Sequence, residues 1–155
     1  MTSPTKIILV PVDSSEGATQ AAAYAAGLAE ALNVPLRLLF AFPKDPVEAF
    51  GIPTEAPRAK ELEYYAPEAF ARLRDVSAEK VFASAREAIG EIGAEIQEEI
   101  IAGPAGDAIV EHAESTPGAM IVIGSRGMGT LREMLLGSVS QRVLHHAPCP
   151  VTVVR

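Results

Sequence analysis

Basic charge is scarce in this sequence of 155 residues. Thirteen Lys and Arg stand against twenty Asp and Glu, a formal net charge of −7. That balance argues against a nucleic-acid backbone or an anionic membrane surface as a main partner, because both are gripped by basic patches. Cysteine is scarcer still. Cys149 is alone, so no internal disulfide can form, which suits a reducing compartment. No apolar run approaches the roughly 20 residues that a membrane helix needs. The opening "MTSPTKIILVPVD" also lacks the charged-then-apolar layout of a secretory signal. The expectation is a soluble cytoplasmic protein.

Catalytic signatures are missing as well. There is no G-x-S-x-G elbow, no H-E-x-x-H and no Cys–His pairing at a recognisable spacing. His145 and His146 are neighbours on a predicted helix, so they point about 100° apart and do not form the i, i+4 pair of a helical metal site. Their place near a helix C-terminus suits the dipole instead. His112, on another predicted helix, has no obvious ligand partner. Cys149, between two prolines and ahead of an apolar strand, reads as a buried structural thiol.

Apolar residues are plentiful, at 48%, enough for a substantial core. "KIILVPVD" (Lys6 to Asp13) is a continuous β-branched run, the pattern of a strand covered on both faces. Pro11 should begin to end its ladder. A helix follows, capped by Ser14 or Ser15, with Ala18, Ala21, Ala25, Leu28 and Leu32 at helical spacing and Asn33 as its stop. "VPLRLLFAF" (Val34 to Phe42) is a second strand. Strand, helix and strand on short joints make a βαβ unit with parallel strands.

From Pro43 to Pro67 the pattern lapses into five prolines and mixed charge. This predicts an exposed excursion with a short helical piece near Lys60 to Tyr65. Tyr64 and Tyr65 read as local packing. A long helix is expected over Glu68 to Ile92, with Phe70, Leu73, Val81, Phe82, Ala85 and Ile89 inward and Gly93 as its cap. "AEIQEEIIAG" follows as a partly exposed strand near an edge. "PAGDAIVEHAES" is a helix with Pro104 in its first turn, "AMIVIGS" an apolar strand, "SVSQRVLHHA" a helix and "CPVTVVR" a final strand. The order βαβαβαβαβ predicts an α/β fold in one domain. Its form is an open, doubly wound, five-stranded parallel sheet with helices on both faces; 3-2-1-4-5 is the expected strand order. Such sheets bind ligands where strand order reverses, at the carboxyl ends of the strands.

Two strands end there in unusual chemistry. The first ends in Asp13-Ser14-Ser15, the fourth in "GSRGMGTLREMLLGSVS" (Gly124 to Ser140). The second segment is not a P-loop, since Thr130 and Leu131 follow Gly129 where Lys and Ser or Thr are required. Nor is it the dinucleotide fingerprint, since Arg132 takes its third glycine position. What remains is Gly124-x2-Gly127-x9-Gly137-Ser138. Gly124 and Gly127 let backbone amides approach an anion. Gly137 and Ser138 open a helix whose free N–H groups favour phosphate, and Ser138 and Ser140 add hydroxyls. Glycines that serve only turns and close packing are the competing reading. Asp13 alone is read first as a helix-capping group, a role compatible with helping to hold Mg²⁺.

The chain resembles the universal stress protein family, in its ATP-binding branch. The resemblance rests on the glycine segment, "VPVD" at Val10 to Asp13, "GPAGDAIVEHA" at Gly103 to Ala113 and the "CPVTVV" ending. It implies an adenine slot lined by Pro11, Val12 and Ala41, and Asp13 near the ribose and the phosphate–Mg²⁺ region. It also implies Gly124, Arg126, Gly127, Gly137, Ser138, Val139 and Ser140 around ribose and phosphates. ATP, with Mg²⁺ through its phosphates, is the implied ligand, and the implied role is nucleotide-dependent regulation in stress response. A slow ATP hydrolase or self-phosphorylating enzyme is the alternative. On this reading ATP would order the Arg126 to Leu136 loop and change what an unidentified protein partner sees. A homodimer through the edge strand Val151 to Val154 is also expected. That strand carries no charge before Arg155, and an unpaired apolar edge invites a second copy.

Overall fold

The apolar run near the N-terminus becomes β1 (Ile7–Pro11), the first strand of the first βαβ unit and the centre of the sheet. In the computed structural model, which describes residues 4–53, 59–125 and 136–155, β1 is followed by α1 (Glu16–Leu32), β2 (Leu36–Phe42), α2 (Pro46–Phe50) and α3 (Ala59–Leu62). A 3₁₀ turn (Glu63–Tyr65) leads to α4 (Pro67–Ile89), β3 (Ile96–Ala102), α5 (Ala105–Glu114), β4 (Ala119–Gly124), α6 (Ser138–His146) and β5 (Val151–Val154). The strand order is β3-β2-β1-β4-β5, with every pairing parallel. This is the predicted topology.

Helices cover both faces. On one, α1 and α4 bury Ala21, Ala22, Ala25, Val81, Phe82 and Ala85 against Ile8, Val10, Leu36, Leu38 and Val122. On the other, Ile109 and Ala113 of α5 and Val143 of α6 meet Leu9, Leu39, Ile121 and Ile123. Because neighbouring strand residues face opposite ways, both faces bury apolar side chains. That is why β1 and β4 read as unbroken apolar runs.

Ser15 caps α1, its side chain accepting the Ala18 N–H at 3.1 Å, and Asn33 ends the helix in the left-handed conformation at φ 56°. Among the expected inward residues, Leu32 is 47% exposed. Alanines carry the buried face instead, which lets the helix lie close to the sheet. The long helix stops earlier than predicted. Gly90, at φ +71°, closes α4 by donating to the Arg86 carbonyl, so the helix ends at Ile89 rather than Ile92. Gly93 instead donates its N–H to a Glu30 carboxylate oxygen at 2.8 Å. Pro104 stands at the N-cap of α5, one place before the first turn, and its carbonyl accepts the Ala108 N–H.

The described parts of the excursion, 43–53 and 59–67, hold more regular structure than their composition implied. Asp45 caps α2 through the Glu48 N–H at 2.8 Å and Pro46 opens that helix, a combination that fits Pro at the first helical position. The predicted helical piece is present as α3 and the 3₁₀ turn. Tyr64 stacks on Phe50 with ring centres 5.8 Å apart, and Tyr65 donates its hydroxyl to the Gly51 carbonyl. Both tyrosines therefore pack locally, as read.

Candidate functional site

The parting of β1 and β4 begins with a proline. Ile8 and Val12 donate their N–H groups to Pro35 and Leu39, on the β2 side. By the alternation of a strand, Pro11 faces β4, where its missing N–H leaves no donor for the ladder. Pairing with β4 accordingly ends at Leu9–Ile121, whereas pairing with β2 runs on to Pro11–Leu39. The two strands therefore part at the carboxyl end of the sheet, where the chain winds outward in opposite directions and a doubly wound sheet has its ligand crevice.

One wall is Pro11, Val12 and Asp13. Val12 is buried and Pro11 half-buried. Asp13 accepts the Ser15 N–H on Oδ1 at 3.0 Å, so it supports the start of α1, as a capping reading requires. Its other carboxylate oxygen has no hydrogen bond among the described residues. Ser14 between them is held at φ 68°, a left-handed conformation that costs a non-glycine residue about 1 kcal/mol or more.

The other wall is the end of β4. A Cβ on Gly124 would lie 2.6 Å from the Gly17 carbonyl oxygen and 2.8 Å from its carbon. Gly124 is thus glycine because the first turn of α1 presses directly on β4, a close-packing role. Two bonds then fasten α6 to this strand end. The Gly137 N–H donates to the Ser125 carbonyl at 2.6 Å, and the buried Ser140 hydroxyl donates to the Gly124 carbonyl at 2.6 Å. Gly137 is the N-cap of α6, extended at φ −69°, with no side-chain cap. The N–H groups of the first turn, Ser138 to Ser140, therefore have no partner within the helix. Ser138 and Val139 are exposed.

Ala41 lies on β2 and packs toward the α5 face. Of the residues predicted for the site, Pro11, Val12, Asp13, Gly124, Gly137, Ser138, Val139 and Ser140 all stand at the carboxyl ends of β1 and β4 or the start of α6. Arg126 and Gly127 lie outside the described residues, as do Gly129 and Arg132. Gly17 and Ser125 are the participants that sequence reasoning missed. The short stretch "SSEGA" was a usable signal for Gly17, since a glycine in the first turn of a helix gives up propensity that close packing can repay.

Elsewhere, the isolated His112 has company. Its Nε2 lies 3.1 Å from an Arg37 guanidinium nitrogen and 3.6 Å from Glu99, and Arg37 also donates to Gln97 at 2.9 Å. Burial pushes the imidazole below its usual pKa of 6.5; Glu99 opposes that shift and Arg37 reinforces it. Burial likewise raises the Cys149 thiol, which disfavours the reactive thiolate and fits a structural role, although the residue is only half-buried. His145 and His146 are exposed in the last turn of α6. Among the described residues no group of three or more His, Cys, Asp or Glu could hold a metal ion, and no helix is long and apolar enough to cross a membrane.

Comparison with known proteins supplies the context for this crevice. The family model described as "Universal stress protein family" matches residues 4–155. A universal stress protein of Thermus aquaticus is 34% identical over 151 residues, covering 97% of this chain and 98% of the relative. The solved structure of the hypothetical protein MJ0577 superposes with a TM-score of 0.75 at 26% identity, over 98% of this chain and 96% of that one. A universal stress protein solved in complex with cAMP superposes with a TM-score of 0.64 at 26% identity, over 99% of each chain.

Proposed function

The chain belongs to the universal stress protein family, and from that premise we propose that it binds an adenine nucleotide, ATP by preference, in the crevice between β1 and β4. The observation that carries the reading is the uncapped start of α6, held against the end of β4 by the Gly137 and Ser140 bonds. A helix start with free N–H groups and a favourable dipole is suited to phosphate. A related protein bound to cAMP supports an adenine nucleotide as the ligand class.

The residues fit such a ligand. Pro11, Val12 and Ala41 are the proposed contacts for a base, Val12 through its backbone because its side chain is buried against α1. The uncommitted oxygen of Asp13 suits a ribose hydroxyl or a water bound to Mg²⁺. Ser138 and Val139 present N–H groups, and Ser138 a hydroxyl, to phosphate oxygens. Arg126 and Gly127 complete the proposed contacts. Mg²⁺ is proposed to arrive with the phosphates, since this ion is usually held by one or two carboxylates and its phosphate ligand; there it would neutralise phosphate charge. The Ser140 hydroxyl positions the others, because its proton is given to Gly124. We assign this occupancy a regulatory role, and a homodimer through β5 as the form in which it acts.

Ser138→Asp tests the site. A carboxylate in the first turn of α6 complements the dipole, so stability should hold or rise by about 0.3–1 kcal/mol. The same carboxylate repels phosphate, so thermal stabilisation by ATP should fall sharply. Thermal melts with and without ATP, beside cAMP, read both effects. Undiminished stabilisation of the variant by ATP would place the phosphates elsewhere.

A further inference from the structure

The excursion after β2 builds a second cleft, on the opposite side of the sheet from Ala41. Ala41 packs toward α5, whereas the next residue, Phe42, turns its ring to Phe70 of α4, with ring centres 5.2 Å apart. Beside this ring pair opens a cleft of about 590 Å³, within the range of roughly 300–1,000 Å³ usual for small-molecule sites. Its floor is Phe42 and Phe70, each at most 9% exposed, with half-buried Ile100 beside them on the α4 side of the sheet. Its walls are the first turns of α4, with Ala71 and Arg74, and the excursion, with Lys44 and Tyr65. The excursion wall is braced rather than merely draped. Tyr65 is fixed to Gly51 and Phe50 stacks on Tyr64.

The charges at the rim are unequal. Of the charged residues that line the cleft, Lys44 and Arg74 are cations and Asp45 is the one anion, turned to accept the Glu48 N–H as the N-cap of α2. Glu48 in turn accepts the Lys44 backbone N–H. The Lys44 ammonium pairs with no carboxylate among the described residues. Arg74 uses Nε on Asp75 at 2.9 Å, which leaves the remaining donors of its guanidinium fork. Pro67, at the first position of α4, also lines the cleft, and this 23-residue helix has no side-chain cap. Its positive dipole end adds to the two cations.

An apolar floor under a cationic rim selects one chemistry. We propose that this cleft binds a small organic anion with an apolar body, its carboxylate or sulfonate held between Lys44 and Arg74 and its hydrocarbon lying on Phe42 and Phe70. The site is separate from the nucleotide crevice and does not depend on that assignment.

The probe is 1-anilinonaphthalene-8-sulfonate, titrated by fluorescence into the whole protein in the presence of saturating ATP. Decanoate and 2-naphthoate compete in parallel, and their relative strength distinguishes an aliphatic from an aromatic body. Saturable one-to-one binding, displaced by one of these carboxylates, is expected. Lys44→Glu with Arg74→Glu should weaken it by about tenfold, in line with reversal of two exposed charges. Ala71→Trp, which fills the cleft from a half-buried position, should abolish it. Circular dichroism and the melting curve confirm that each variant is folded. Binding unchanged in both folded variants, or no binding to the unaltered protein, would overturn the proposal.

Discussion

Gly124 shows how little room a single residue has at the centre of this fold. Its missing side chain is required by backbone: a Cβ there would meet the Gly17 carbonyl at 2.6 Å, and neither α1 nor β4 can give way without disturbing the core on its own side. Gly124→Ala should therefore destabilise the protein by about 1–3 kcal/mol, the usual cost of overpacking. Urea unfolding measures it, and a midpoint within error of the parent would show that α1 shifts freely. Glycine in this segment was legible as a demand for close approach. Which neighbour approaches was not, because Gly17 and Gly124 are far apart in sequence and meet only when α1 crosses the sheet. Ser140 teaches the same lesson. Its type suggested a phosphate donor, but its position in the first turn of α6 turns the hydroxyl onto the Gly124 carbonyl.

At the scale of elements, α5 is tied to the β2–β3 edge by a polar cluster. His112 meets Arg37 from β2 and Glu99 from β3, with Gln97 completing the group. Burial first, and Arg37 second, hold the imidazole below its usual value, with Glu99 opposing them. The unfolded chain therefore takes up a proton more readily than the folded one. The stabilising contribution is complete above about pH 6.5 and is lost as pH falls from there through the lower folded value. His112→Gln keeps a neutral acceptor without the titration. Its stability, followed by urea unfolding between about pH 7.5 and 5, should vary less than the parent's over this window. Parallel curves would assign the parent's pH dependence to other groups. Element boundaries were legible where a cap carried its own chemistry, as at Ser15 and Asn33. The end of α4 was not, because Gly90 and Gly93 both suit a cap and only the path of the chain into β3 selects Gly90, leaving Gly93 to Glu30.

For the whole molecule, the open question of assembly lies at β5. All four of its residues are half-buried, it pairs with β4 on one side, and it is the last strand in the sheet. Val151 and Val153 pack toward the α5–α6 face and Val154 toward the other, so the strand offers a backbone edge flanked by apolar side chains. The proposed homodimer covers that edge with a second copy. Val153→Lys should yield monomers or insoluble protein, measured by light scattering of the soluble fraction. An unchanged dimer would move the interface elsewhere.

The sequence by itself determined the alternation of strands and helices, the parallel sense of the strands and the strand ends where a ligand site belongs. These follow from local signals: apolar runs, helical spacing, caps and short joints, each acting over a few residues. Only the tertiary structure decided that Pro11 parts β1 from β4 rather than from β2, that Gly124 makes room for Gly17, and that His112 has Arg37 and Glu99 beside it. It also decided that a stretch of prolines and mixed charge folds into the wall of a cleft. Each of these depends on contacts between residues distant along the chain, and such contacts have no period or motif to announce them.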